Sequence, residues 1–132
     1  MKVFFDNCLS FTLAHALAAL FRDEHEIVAL KDKFPRNISD IDWISALSKE
    51  GHWIVVSGDQ RITRNRAERR AFQNSQLTGF FLAPAVNKAP VLKQLERLCA
   101  LWNNMLTLAS AAQPGALYEL PIKGNQPRPL RL

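Results

Sequence analysis

The sequence predicts an α/β fold: a central, mostly parallel sheet of four or five strands covered by helices on both faces. Three observations carry this. Short apolar runs without polar alternation recur at residues 3–5, 53–56 and 79–82, as strands buried on both faces require. Stretches with apolar residues three or four apart stand between them, as amphipathic helices require. Cap and turn residues mark the changeovers. Strand and helix in alternation give a parallel sheet with crossover helices.

The elements follow in order. Val3, Phe4 and Phe5 form a first strand that ends at Asp6. Leu13, Leu17, Leu20 and Phe21 recur at helical spacing, with Ser10 as N-cap. Residues 25–30 read as a second strand, and the polar stretch 31–38 with Pro35 reads as a loop. Ser39 opens a second helix through the capping-box-like pair Ser39 and Asp42. Ile44 and Leu47 form its stripe, and Gly51 stops it. Residues 53–56 make the best strand, followed at once by Ser57, Gly58 and Asp59. A helix at 66–77 and a strand at 79–82 come next. Pro90 suits the first position of a last helix whose face is Leu92, Leu95, Leu98, Trp102, Met105 and Ala109. The organisation is one domain, 1–132, with 113–132 a Pro-rich C-terminal tail. Residues 118–120 form a last edge strand there, and the end beyond Pro121 is loosely held.

The chain has 132 residues and a net charge of +5, which suits a polyanionic partner such as nucleic acid or an acidic protein. Cys8 and Cys99 stand far apart with no metal-ligand spacing, so no zinc site is expected and buried free thiols are the reading. Free thiols suit a reducing cytosol. The first residues lack a signal-peptide core, and no stretch has the length of a membrane span. A cytoplasmic protein without a membrane partner is expected.

Ligands of open parallel sheets gather outside the carboxyl ends of the strands. Asp6 and Asp59 stand at two such ends, and Asp40 and Asp42 begin a helix packed between them. Clustered carboxylates repel unless a cation neutralises them. Mg²⁺ and Mn²⁺ prefer such oxygen ligands, and together they can drive in-line attack on a phosphodiester. Each acid also has a plainer role: Asp40 and Asp42 as helix caps, Asp59 as a turn residue. Asp6, directly after a buried strand, has the weakest plain explanation. Ser57 is placed to hydrogen-bond a ligand carboxylate. Arg61, Arg64, Arg66, Arg69 and Arg70 suit RNA phosphates, against the plainer reading of a solvated helix face paired with Glu68. His15, His25 and His52 have no spaced partners and read as structural. The tryptophans and phenylalanines read as core rather than as base-stacking platforms.

Three segments, Phe4 to Leu9, Ser39 to Ile44 and Ile54 to Ile62, resemble the short branch of PIN-like proteins. The run from Arg61 to Glu68 is similar to toxins of the VapC kind within that branch. The resemblance covers roughly residues 1–82. It implies a three-layer α/β/α PIN-like fold and RNA cleavage with acid-bound Mg²⁺ or Mn²⁺. It further implies a cognate antitoxin as partner and a homodimer. By position Asp6 matches the first-strand acid and Asp59 the third-strand acid, while either Asp40 or Asp42 matches the helix-start acid. Asn7 departs from the pattern, standing where the branch often carries an acid. Fewer charges weaken metal binding, so a non-catalytic PIN-like module that binds RNA or protein is the alternative to a ribonuclease toxin.

Overall fold

The apolar runs pair side by side, and their order sets where chemistry can occur. The computed structural model describes residues 1–58 and 60–130, with Arg61 by its backbone alone. In chain order the elements are β1 (Lys2–Phe5), α1 (Phe11–Leu20), β2 (Glu26–Ala29), α2 (Leu30–Lys33), α3 (Asp40–Glu50) and β3 (Ile54–Ser57). There follow α4 (Arg61–Arg64), α5 (Arg66–Gln73), β4 (Thr78–Leu82), α6 (Pro84–Asn87), α7 (Val91–Ala111), β5 (Leu117–Leu120) and β6 (Arg128–Pro129).

Among the described residues these strands form one sheet in the order β2-β1-β3-β4-β5-β6. All neighbours are parallel except β5 and β6. The chain leaves β1 for β2 on one side and later returns to β3 on the other. The order therefore reverses at β1, and ligands of such sheets sit outside the carboxyl ends at that switch.

Successive strand residues point to opposite faces, and both faces are buried. Val3, Phe5, Ile54, Val56, Phe80 and Leu82 pack against α1 and α7 through Leu13, Leu17, Leu98, Leu101 and Trp102. Phe4, Val55, Phe81 and Leu117 pack against α3 and α5 through Trp43, Ile44, Leu47 and Phe72. This is the three-layer α/β arrangement expected from the sequence. Ser10 and Ser39 cap α1 and α3 as predicted: their hydroxyls accept from the backbone N–H of Thr12 (3.2 Å) and Asp42 (3.1 Å).

Several details differ from the sequence reading. The predicted loop 31–38 begins inside a single helical turn, α2, and two further short helices, α4 and α6, were not anticipated. The helix read as 66–77 ends at Gln73, where Asn74 caps it. Pro90 is the N-cap of α7 rather than its first residue. The segment 118–120 is not the edge: β5 extends over Leu117–Leu120, and β6 pairs along its outer side. Pro129 is tolerated there because an edge strand does not need its N–H. The tail is tied down by Arg97 of α7. Its buried guanidinium donates to the carbonyl of Pro121 (3.1 and 3.0 Å) and to that of Gly124. Cys8 and Cys99 carry thiols, as expected, but the residues are exposed rather than buried. Cys8 lies on the loop after β1, and Cys99 on the outer face of α7. Among the described residues no helix is long and apolar enough to cross a membrane.

Candidate metal centre

The backbone N–H of Asp6 donates to the carbonyl of Val56 (3.0 Å), which carries the β1–β3 ladder one residue past the strand. Asp6 thus stands at the carboxyl edge beside the switch point, only 6% exposed. One carboxylate oxygen accepts from the backbone N–H of Asn7 (2.6 Å). The other accepts from Ser57 Oγ (3.0 Å) and from the Cys8 thiol (3.7 Å). Even with these donors the Asp6 carboxyl is pushed above the usual carboxylate range. Burial is the main cause, and the charge of Asp40 adds to it.

Asp40 reaches this neighbourhood through the core. It is the first residue of α3, capped by Ser39. Its Oδ1 accepts from the indole N–H of Trp43 (2.9 Å). Trp43 is buried against Phe4, with ring centroids 5.0 Å apart, so the apolar layer under the sheet fixes the start of α3 beside β1. Asp42 is two residues further along, about 200° around the helix at 3.6 residues per turn, and is exposed. Asp40 is thus near enough to Asp6 for its charge to act on that carboxyl, whereas Asp42 lies at the solvent face, where it favours the helix N-terminus.

Ser57 is fully buried at the end of β3 and touches both Asp6 and Cys8, the Oγ–Sγ distance being 3.3 Å. The Cys8 thiol also accepts from the backbone N–H of Gly58 (3.2 Å). Gly58 has no room for a side chain: a Cβ there would meet Leu9 Cδ2 at 2.7 Å and the side-chain amide of Asn87. Asn7 takes part through its backbone N–H, and its side chain is exposed. Asp59 and the side chain of Arg61 lie outside the described residues.

The remaining arginines divide. Arg64 is exposed and lines a cleft of about 410 Å³ with Cys8, Gly58, Gln60, Asn87 and Lys88. Arg66 and Arg70 are exposed on α5. Arg69 is half-buried and donates to the carbonyl of Thr63 (3.3 Å), which ties α5 to α4. A second, smaller cleft of about 200 Å³ opens on the β2 side, with Asp6, Asn7, Phe11, Leu30 and Lys31 among its walls. Asp6 and its neighbours thus stand between two openings.

The sequence reading gave Cys8, Gln60, Asn87 and Lys88 no place in the site. Gln60 Nε2 donates to the carbonyl of Leu82 (3.4 Å) and to Glu119 (3.2 Å), linking α4 to the ends of β4 and β5. Lys88 follows α6, which begins two residues after β4. A cation that soon after a parallel strand is the signal the sequence offers, in a segment to which the sequence reading gave no element.

Among the described residues no group of three or more His, Cys, Asp or Glu side chains could hold a metal ion. Asp6 and Asp40 are the described carboxylates that could contribute to one.

A family model described as a PIN like domain matches residues 1–84. Neither the curated proteins nor the solved structures give a match to the chain. The family match spans β1 to the start of α6 and so includes Asp6, Asp40 and Ser57. The chain belongs to the PIN-like domain family, which is often associated with nuclease activity.

Proposed function

We propose that this protein is a metal-dependent endoribonuclease, the toxin of a toxin–antitoxin pair. The observation that carries the reading is the meeting of Asp6 and Asp40 at the carboxyl edge of the sheet, where the charge of one raises the pKa of the other. Two carboxylates that repel in a mostly buried setting form a place short of positive charge. Mg²⁺ and Mn²⁺ fit such a donor set, because they use one or two protein carboxylates and fill their shells with water and phosphate oxygens. When bound, the ion supplies charge neutralisation at the phosphate and a more acidic water.

The chain's own residues do the rest. Ser57 and the Asn7 N–H hold the Asp6 carboxylate in one orientation, and Trp43 does the same for Asp40. Asp59, two residues along the chain from Ser57, is assigned to the same centre by its match to the family pattern. Arg64 and Lys88 line the larger cleft, where guanidinium and ammonium suit the phosphates of a passing strand. Arg61, Arg66 and Arg70 extend this basic stretch in sequence. The likeness of the Arg61 to Glu68 run to VapC-type toxins supports a cognate antitoxin, a homodimer and a cytoplasmic setting.

The test is cleavage of a mixed RNA substrate with Mn²⁺, Mg²⁺ or EDTA. Metal-dependent cleavage is expected for the wild type and for Asp42→Asn, and none for Asp6→Asn, Asp40→Asn or Asp59→Asn. RNA binding without cleavage under every condition would establish the alternative, a non-catalytic PIN-like module.

A further inference from the structure

We infer that Phe11 is a stacking platform for an unpaired nucleobase, with Lys31 beside it to take the adjoining phosphate. This rests on the nuclease reading for its partner, a single-stranded RNA, but on separate residues for its geometry.

Phe11 opens α1 and lies off the helix's apolar stripe. Leu13, Ala14 and Leu17 face the core, whereas Phe11 and His15, four residues apart, share an outer face. Phe11 is 46% exposed, and its ring has the His15 ring at 5.3 Å between centroids. An exposed apolar side chain is ordinary by itself. The surroundings of Phe11 are not. It forms a wall of the 200 Å³ cleft whose other walls include Asp6 and Asn7, so the ring stands next to the proposed cleavage centre. The Lys31 ammonium lies over the ring at 3.3 Å from its centroid. His15 in turn bonds Asp32 (2.6 Å), which holds the face of α1 against α2, the helical turn that carries Lys31.

An aromatic face, a cation and a carboxylate centre within one cleft are the parts of a single-strand binding site. Every base has a π-face, so such a platform accepts any sequence. In the free protein the ammonium covers the ring through a cation–π contact, which is weak at exposed positions. An incoming base takes the ring face, and the flexible lysine stem carries the ammonium to the phosphate. The basic wall of Arg64 and Lys88 lies in the other cleft. A strand crossing the carboxylates therefore meets phosphate contacts on one side and a stacked base on the other.

The test uses an oligoribonucleotide of about ten residues, within the usual span of single-strand sites. It carries 2-aminopurine at each position in turn and is mixed with the full chain in EDTA, so that no cleavage intervenes. At one position the wild type should quench the fluorescence. Phe11→Ala should abolish that quench and weaken binding about tenfold, the usual scale for loss of one stacked base. Phe11→Trp should keep both, and Lys31→Ala should weaken binding while keeping the quench. Equal quench and affinity for Phe11→Ala and wild type would overturn the inference and leave the ring to a protein surface. Loss in Phe11→Trp equal to that in Phe11→Ala would also overturn it. Quenching by a protein that cleaves nothing with metal removes the nuclease and keeps the platform. Cleavage with a Phe11-independent quench does the reverse.

Discussion

Asp6 concentrates the physics of this protein in one side chain. It is buried, it has a like charge near it, and it still accepts three hydrogen bonds. Because its folded pKa is raised, the stability linked to this group is fully present below the usual carboxylate range and is lost as the pH rises through the raised pKa. Asp6→Asn, which carries no charge, should therefore raise the melting temperature of metal-free protein at neutral pH and give no gain in acid. Thermal unfolding in EDTA across that range checks this, and a neutral-pH loss of stability would refute it. Asp6 was legible in the sequence because a lone acid directly after a buried strand has few other uses. The choice between Asp40 and Asp42 was not legible. Both are acids in a first helical turn, and only the packing of Trp43 on Phe4 shows which side of α3 faces the switch point. Cys8 was misread as buried because its apolar chain neighbour Leu9 packs inward, whereas Cys8 itself is exposed on the loop even though its thiol reaches in to Asp6 and Ser57.

At the scale of elements, the strands with β-branched and aromatic runs were the readable part, since burial on both faces leaves a continuous apolar signal. The short helices α2, α4 and α6 span only four residues each and carry no period to detect. The C-terminal segment was misjudged because its prolines suggested a loose end, whereas its anchor lies on another element. Arg97, inside the apolar period of α7, donates to Pro121 and Gly124 and so holds the link between β5 and β6. Arg97→Ala leaves the buried Pro121 carbonyl without its charged donor and should cost about 2–3 kcal/mol, the scale of hydrogen bonds to charged groups. Urea unfolding reads the cost. Trypsin should also cut faster after Lys123 in the variant, and unchanged proteolysis there would mean that the link to β6 is held by other contacts.

For the molecule as a whole, the excess of basic residues was visible from composition, but its placement was not. Arg69 turned inward to Thr63, while Lys88, far from the arginine run in sequence, shares a cleft with Arg64. RNA binding should accordingly weaken with salt. Arg64→Ala and Lys88→Ala should each reduce the slope of log K against log salt by about 0.7, the value for one single-strand phosphate contact. A slope unaltered by Lys88→Ala would remove the larger cleft from the binding path. The division of the core between the two faces of the sheet has one more consequence. Trp102 lies in the layer with α1 and α7, while Trp43 and Trp53 lie in the layer with α3 and α5. Each side of the sheet thus carries its own intrinsic fluorophore, and replacing the others with phenylalanine turns emission into a layer-by-layer record of melting. The Trp43 indole, bonded to Asp40, gives in addition an optical gauge of whatever neutralises that carboxylate.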